Sequence, residues 1–424
     1  MNRYMNLYTQ YQIDTFFQKL LSISIFVFIF SIPFNPHFSK LIINQMFYFW
    51  ILSLEVKYLI KYIKENHLLQ ILFLFSIFIY SSYLWSEEPL YVNYVNLFLK
   101  FLFLPTIILV TSMKQKYIFY YISIFLFAMF LNELISYGIF FEYIHGTLFG
   151  FHITGTKFDP IPFQTSHMEY SVYISFTIFI LLHSLFHKKW SILSSIYIFF
   201  SLTMITNLFL SAGRSGQFTF LITSILLSVI YFRNTIKYIL LAILSLVLTL
   251  IVAYNTSSTF NYRINHAVGD IQKVIHSKNY NSSFGIRLSS YALVQTILNK
   301  TPLLYGEGYN DTDRVVQELH KKEFFQFAKF HRQEGHLHNT YITIYVALGL
   351  SGLVLVLYIL YMLLTLKIND SFIHYLRYVF VFTIFFAGFT ENMFREKEIM
   401  LLFATFFSII LSQVNYENRK DIQK

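Results

Sequence analysis

The sequence predicts an all-α polytopic membrane protein, and three observations predict it. Only 13% of the 424 residues are charged, roughly half the share of about 25% found in soluble proteins. Hydrophobic residues make up 56% of the chain, and the mean hydropathy is positive. Apolar runs of about 18 or more residues recur along it, the length needed to cross about 30 Å of hydrocarbon. The absence of cysteine excludes disulfides, thiolate catalysis and cysteine metal sites. The net charge of +10 raises the question of nucleic acid. The positions of the lysines answer it, because they mark loop orientation and no nucleic-acid partner is expected.

About twelve membrane helices are expected, over residues 20–34, 41–56, 67–84, 90–111, 117–139, 168–186, 190–211, 216–232, 236–254, 339–366, 372–390 and 398–414. The second is marked by Glu55 and Lys57 intruding at its end. The first run lacks a small-residue cleavage site and belongs to a series of spans, so it reads as a retained helix. One set of short connections carries Lys57, Lys61, Lys64, Lys114, Lys116, Lys188, Lys189, Arg233, Lys237 and Lys367. The alternate set holds Lys40, Glu87, Glu88 and Arg214. Positive loops face the cytoplasm, so both termini are expected there.

Two long connections fall on the outer side, at about 140–167 and 255–338. The chain therefore divides into an N-terminal bundle (1–254), a large outer loop (255–338) and C-terminal helices (339–424). Within the loop, residues 286–298 (IRLSSYALVQTIL) read as an amphipathic helix ended by Lys300-Thr301-Pro302. A turn at Tyr305–Asp311 follows, and then a helix from Thr312 to about Lys329.

Candidate chemistry gathers on this outer side. Arg214 sits in Ser211-Ala212-Gly213-Arg214-Ser215-Gly216, a connection of a few residues. An arginine can snorkel to the headgroups, but its planar fork beside glycine and serine amides also suits a phosphate. Arg287 opens the loop helix, where a cation opposes the helix dipole unless an anion sits there too; the alternative is an exposed solubilising charge. The loop closes on Glu334-Gly335-His336-Leu337-His338-Asn339. Two residues apart in extended chain, His336 and His338 point to opposite faces, so one of them enters a given site. Asn339 is a good N-cap, and a neutral imidazole beside it suits a general base for a hydroxyl. A metal reading would take both histidines with Glu334, but no third strong ligand is placed by spacing. Lys100 and Asn132-Glu133 fall inside spans and read as a structural ion pair. Asp311 and Asp313 read as a solvated turn.

These segments resemble the O-antigen ligase and polymerase superfamily of bacterial envelope enzymes. The resemblance rests on SAGRSG in a short outer connection, GIRLSSYALVQTIL in the first half of the outer loop, the NKTPLLYGEGYND turn, and HLHNTYITIYVALGLSGL entering a span. It covers roughly residues 200–360, and the earlier spans match only in hydropathy.

The resemblance implies a GT-C-like glycosyltransferase with a large helical periplasmic loop, in the bacterial inner membrane. Its donor would be a glycan on a polyprenyl (undecaprenyl) pyrophosphate, and its acceptor a lipid A–core sugar hydroxyl. Arg214 and Arg287 would engage the pyrophosphate. His338, or else His336, would be the base, with Asn339 and Ser215 supporting, and neither metal nor cofactor would take part. Three rivals remain. A polysaccharide polymerase shares the donor, a protein O-oligosaccharyltransferase uses a serine or threonine, and a lipid-linked glycan flippase makes no bond. The histidine–asparagine motif and the single large loop favour the ligase.

Overall fold

The computed structural model describes residues 2–87, 93–148, 150–163, 166–183, 191–279, 294–323 and 337–422, with Ser282, Gly285, Arg287, Leu288 and Tyr291. His336 and Glu334 lie outside the described residues. The helices are α1 (Asn2–Ser31), α2 (Pro36–Leu52), α3 (Leu59–Glu65), α4 (His67–Ser81), α5 (Tyr94–Phe98), α6 (Leu104–Ser112), α7 (Ile118–Phe140), α8 (His167–Leu182), α9 (Ile192–Leu210), α10 (Arg214–Phe232), α11 (Ile236–Thr256), α12 (Ser258–Ser277), α13 (Val294–Lys300), α14 (Thr312–Glu323), α15 (Thr340–Thr365), α16 (Ser371–Ala387) and α17 (Lys397–Ile422). A hairpin pairing Thr147–Leu148 with Phe151–His152 is the one sheet among the described residues.

This is an all-α polytopic membrane protein. Eight helical segments are long and apolar enough to cross a bilayer, and shorter apolar helices cover Thr15–Ser31, His167–Leu182 and Ser371–Ala387. Together with α2, they coincide with the expected spans. α5 and α6 form a single span through a π-helical turn, Leu99–Phe103, just before Pro105. Proline cannot donate to the helical ladder, which is a common reason for such a local defect. α17 lies at the centre, packed on α6 and α16. α11 lies at the edge, with most of its apolar side chains exposed.

Several expectations need correction. The Lys100–Glu133 pair is not formed: Lys100 neighbours Lys40, and Glu133 neighbours Thr203. The companion amide, Asn132, donates to Pro33 O (2.8 Å). Twenty residues of the loop fold as α12, ahead of the two loop helices expected. Asp311 and Asp313 are not in a solvated turn. Asp311 is fully buried and accepts from Ser86 Oγ (2.9 Å) and Glu87 N. Asp313 accepts from Tyr94 OH (2.6 Å) and pairs with Arg395, whose guanidinium stacks 3.8 Å above the Tyr94 ring. These contacts tie the loop to the bundle.

The glycine-rich turn has its own structural explanation. α15 is interrupted at Gly349, whose φ of 65° and ψ of −162° suit glycine alone. Such a break leaves carbonyls without helical partners, and the turn satisfies them: Glu307 N donates to Val346 O (2.8 Å) and Gly308 N to Ala347 O (2.9 Å). In return Leu350 N donates to Leu303 O (2.7 Å). A Cβ on Gly349 would lie 2.5 Å from the Leu304 carbonyl carbon, so broken helix and turn require one another.

Candidate functional site

The site is assembled from the starts of α10 and α15, Arg287 of the outer loop, and the connection between α16 and α17. α10 begins at Arg214 because Gly213 and Gly216 let it approach α8 closely. A Cβ on Gly213 would fall 2.2 Å from Ser171 Cβ, and one on Gly216 2.1 Å from Ser171 O. Two of the nearby amides have partners within the chain: Ala212 N donates to Asp159 Oδ1 (2.8 Å) and Gly216 N to Ser171 Oγ (3.0 Å). The glycines serve packing.

α15 begins at Thr340, with Asn339 as its N-cap: the Asn339 side-chain oxygen accepts from Ile342 N (2.9 Å). Its amide nitrogen donates to Tyr291 OH (3.0 Å). Thr340 laces this start to the next connection, its N–H donating to Gly388 O (2.8 Å) and its hydroxyl to Glu391 O (2.7 Å). Met393 N donates back to Thr340 Oγ1 (2.8 Å).

That lacing places Glu391 at the centre. Its side chain is only 5% exposed, and both oxygens are engaged. Oε1 accepts from Arg287 Nη2 (2.7 Å) and from Ser215 Oγ (3.1 Å). Oε2 lies 3.2 Å from His338 Nδ1. Burial alone would push this carboxyl up, but the His338 hydrogen bond and the Arg287 charge hold it below its ordinary value. Glu391 therefore remains a carboxylate that gathers a cation, a hydroxyl and an imidazole. Arg287 Nη2 also approaches Met168 Sδ (3.6 Å).

The predicted residues Arg287, His338 and Ser215 thus converge on one group, and Arg214 adjoins it through Ser215. Arg214 Nη1 is buried with no hydrogen-bond partner among the described residues, while His338 is part-exposed, with 22% of its side chain accessible. Sequence reasoning missed Glu391. The only signal was a carboxylate in the charged connection Thr390-Glu391-Asn392-Met393-Phe394-Arg395, which carries no recognisable spacing. Nearby, Glu169, Glu396 and Glu398 bring one oxygen each within 4.8 Å of one another, a donor set suited to a hard divalent cation.

Fold and site together define a polytopic membrane protein with a buried, charge-bridged cluster at one end of its helical bundle. Residues 199–357 match the family model described as O-antigen ligase, which supports placement in the O-antigen ligase superfamily. The matched segment runs from α9 into α15 and contains Arg214, Arg287, His338 and Asn339, whereas Glu391 lies beyond it. No curated protein matches the chain.

Proposed function

We propose that this protein is a GT-C-like glycosyltransferase that moves a glycan from undecaprenyl pyrophosphate to a lipid A–core sugar hydroxyl. The reaction takes place at the periplasmic face of the inner membrane, with both termini cytoplasmic, as the lysine-rich loops imply. One observation carries the reading: the buried Glu391 carboxylate contacts both Arg287 and His338. An anion-binding group and a base are thereby fixed by one anchor.

In this mechanism His338 Nδ1–H points at Glu391, so Nε2 is the atom that takes the acceptor hydroxyl proton. The acceptor oxygen forms a bond to the anomeric carbon as the bond from that carbon to the pyrophosphate oxygen breaks. Polyprenyl pyrophosphate leaves with the electron pair, and Arg214 and Arg287 stabilise its growing charge. Glu391 stays ionised and stabilises the imidazolium. Ser215 and Asn339 hold Glu391 and the His338 backbone in place. No step requires a metal.

Purified protein supplied with lipid-linked glycan and lipid A–core tests this directly. The expected product is glycan on the core, with release of polyprenyl pyrophosphate. Joined lipid-linked repeats would reassign the acceptor and make the protein a polymerase. Transbilayer movement without bond formation would overturn the enzyme reading.

A further inference from the structure

α12 packs over the turn that carries Arg214. Ser257 caps it, accepting from Phe260 N (3.1 Å) while donating to Phe209 O (2.8 Å). The Phe209 and Phe260 rings meet edge-on at 5.0 Å. Phe260, Arg263, Ala267 and Asp270 recur at helical spacing and share one face. Phe260 and Asp270 on that face are buried, whereas Tyr262, His266 and Val268 are exposed. Arg263 is half-buried and edges a cavity of about 390 Å³ shared with Phe158, Asp159, Ser258, Thr259 and Tyr262. Asp159 joins that cavity to the turn through its bond from Ala212 N. Arg263 and Arg287 both lie close enough to Arg214 for their charges to repel it, and Asp270 lies close enough to attract it.

Like charges brought together are destabilising unless an anion comes between them. The nearest acids have partners of their own: Glu391 with Arg287 (2.7 Å), Asp270 with Lys273 (3.8 Å), and Asp159 with His167 (3.4 Å). Among the described residues, neither Arg214 nor Arg263 forms an ion pair. Asp270 offsets part of the Arg214 charge, and two guanidinium groups without an ion pair of their own facing one region match a diphosphate diester, whose phosphates carry one negative charge each. A monophosphate offers a single phosphate group and would leave one guanidinium unmatched.

We propose that Arg263 is a third arginine of the donor site, binding one phosphate of the lipid diphosphate while Arg214 binds the other. The inference rests on the donor reading above and adds a residue outside the sequence motifs. Binding of farnesyl diphosphate and farnesyl monophosphate to the full-length protein in nanodiscs tests it. The wild type should prefer the diphosphate. Arg263→Gln should weaken diphosphate binding by about tenfold or more, as expected for one charge-assisted contact, and leave monophosphate binding unchanged. Arg263→Lys should restore part of the preference. Equal diphosphate affinity in Arg263→Gln and wild type overturns the proposal while the donor reading stands, and so does an equal loss of both ligands, which marks a structural role. A wild type that binds neither ligand removes the donor reading and this inference together.

Discussion

His338 is held through Nδ1 by Glu391 Oε2 at 3.2 Å, which leaves Nε2 without a protein hydrogen bond among the described residues. The carboxylate thereby selects the tautomer with the proton on Nδ1 and the lone pair on Nε2. In the proposed mechanism Glu391 is thus a positioning residue. Glu391→Gln should lower transfer by about 10²–10⁴-fold, the range a positioned base contributes, while Glu391→Asp retains part of it. Unchanged turnover in Glu391→Gln with wild-type folding would disprove the assignment.

The same carboxylate sets an acid limit on stability. Its folded pKa lies below its ordinary value because His338 and Arg287 outweigh the burial that raises it. A depressed carboxyl stabilises the fold fully above the unfolded value of about 4.3 and loses that contribution as pH falls through the folded value. Thermal unfolding in detergent should therefore show wild-type Tm falling on acidification below that point. The Glu391→Gln variant should start lower and change less over the same window. Parallel curves for the two proteins would show that Glu391 contributes nothing to the acid response.

The spans were legible because bilayer thickness imposes long apolar runs that few charges interrupt. Asn339 was legible for a local reason, since an N-cap is decided by its own side chain and the amides just after it. α12 was less visible, because Tyr262, Asn265, His266 and Lys273 dilute its apolar spacing. The close packing of the glycines beside Arg214 on Ser171 was not visible in the sequence, because Ser171 lies about forty residues earlier in the chain. Glu391 was invisible for the same reason: its importance comes from Arg287 and His338, which lie 104 and 53 residues away. Local chemistry can be read along a chain, whereas a contact across helix ends depends on how they pack.

Arg214 tests whether charge or geometry binds the donor. Lysine keeps the charge but cannot offer two parallel N–H bonds to phosphate oxygens. Arg214→Lys should weaken donor binding by about tenfold or more, the scale of a lost charge-assisted bond, and leave Tm close to wild type because no ion pair is broken. Full activity and full donor affinity in this variant would exclude a bidentate clamp at this position.

Gly349 connects the fold to the loop. Alanine there must adopt a backbone region open essentially to glycine, at about 1–3 kcal/mol, and its Cβ meets the Leu304 carbonyl carbon at 2.5 Å. Gly349→Ala should lower Tm and speed hydrogen exchange at the Glu307 and Gly308 amides, whose acceptors lie in the broken helix. Wild-type protection at both amides would show that the turn does not depend on this break.

The decisive test concerns His338 itself. In the proposed mechanism Nδ1 is fixed by Glu391 and Nε2 accepts the acceptor proton, so His338→Ala should lose about 10²–10⁴-fold in transfer while keeping donor affinity and fold. A metal site using His336, His338 and Glu334 requires different results. His336→Ala and His338→Ala would then be equally damaging, chelation would abolish transfer, and zinc would restore it. Zinc-rescued, chelator-sensitive transfer would sink the base assignment. A dead His336→Ala beside an active His338→Ala would move the role two residues upstream and leave the His338–Glu391 contact purely structural.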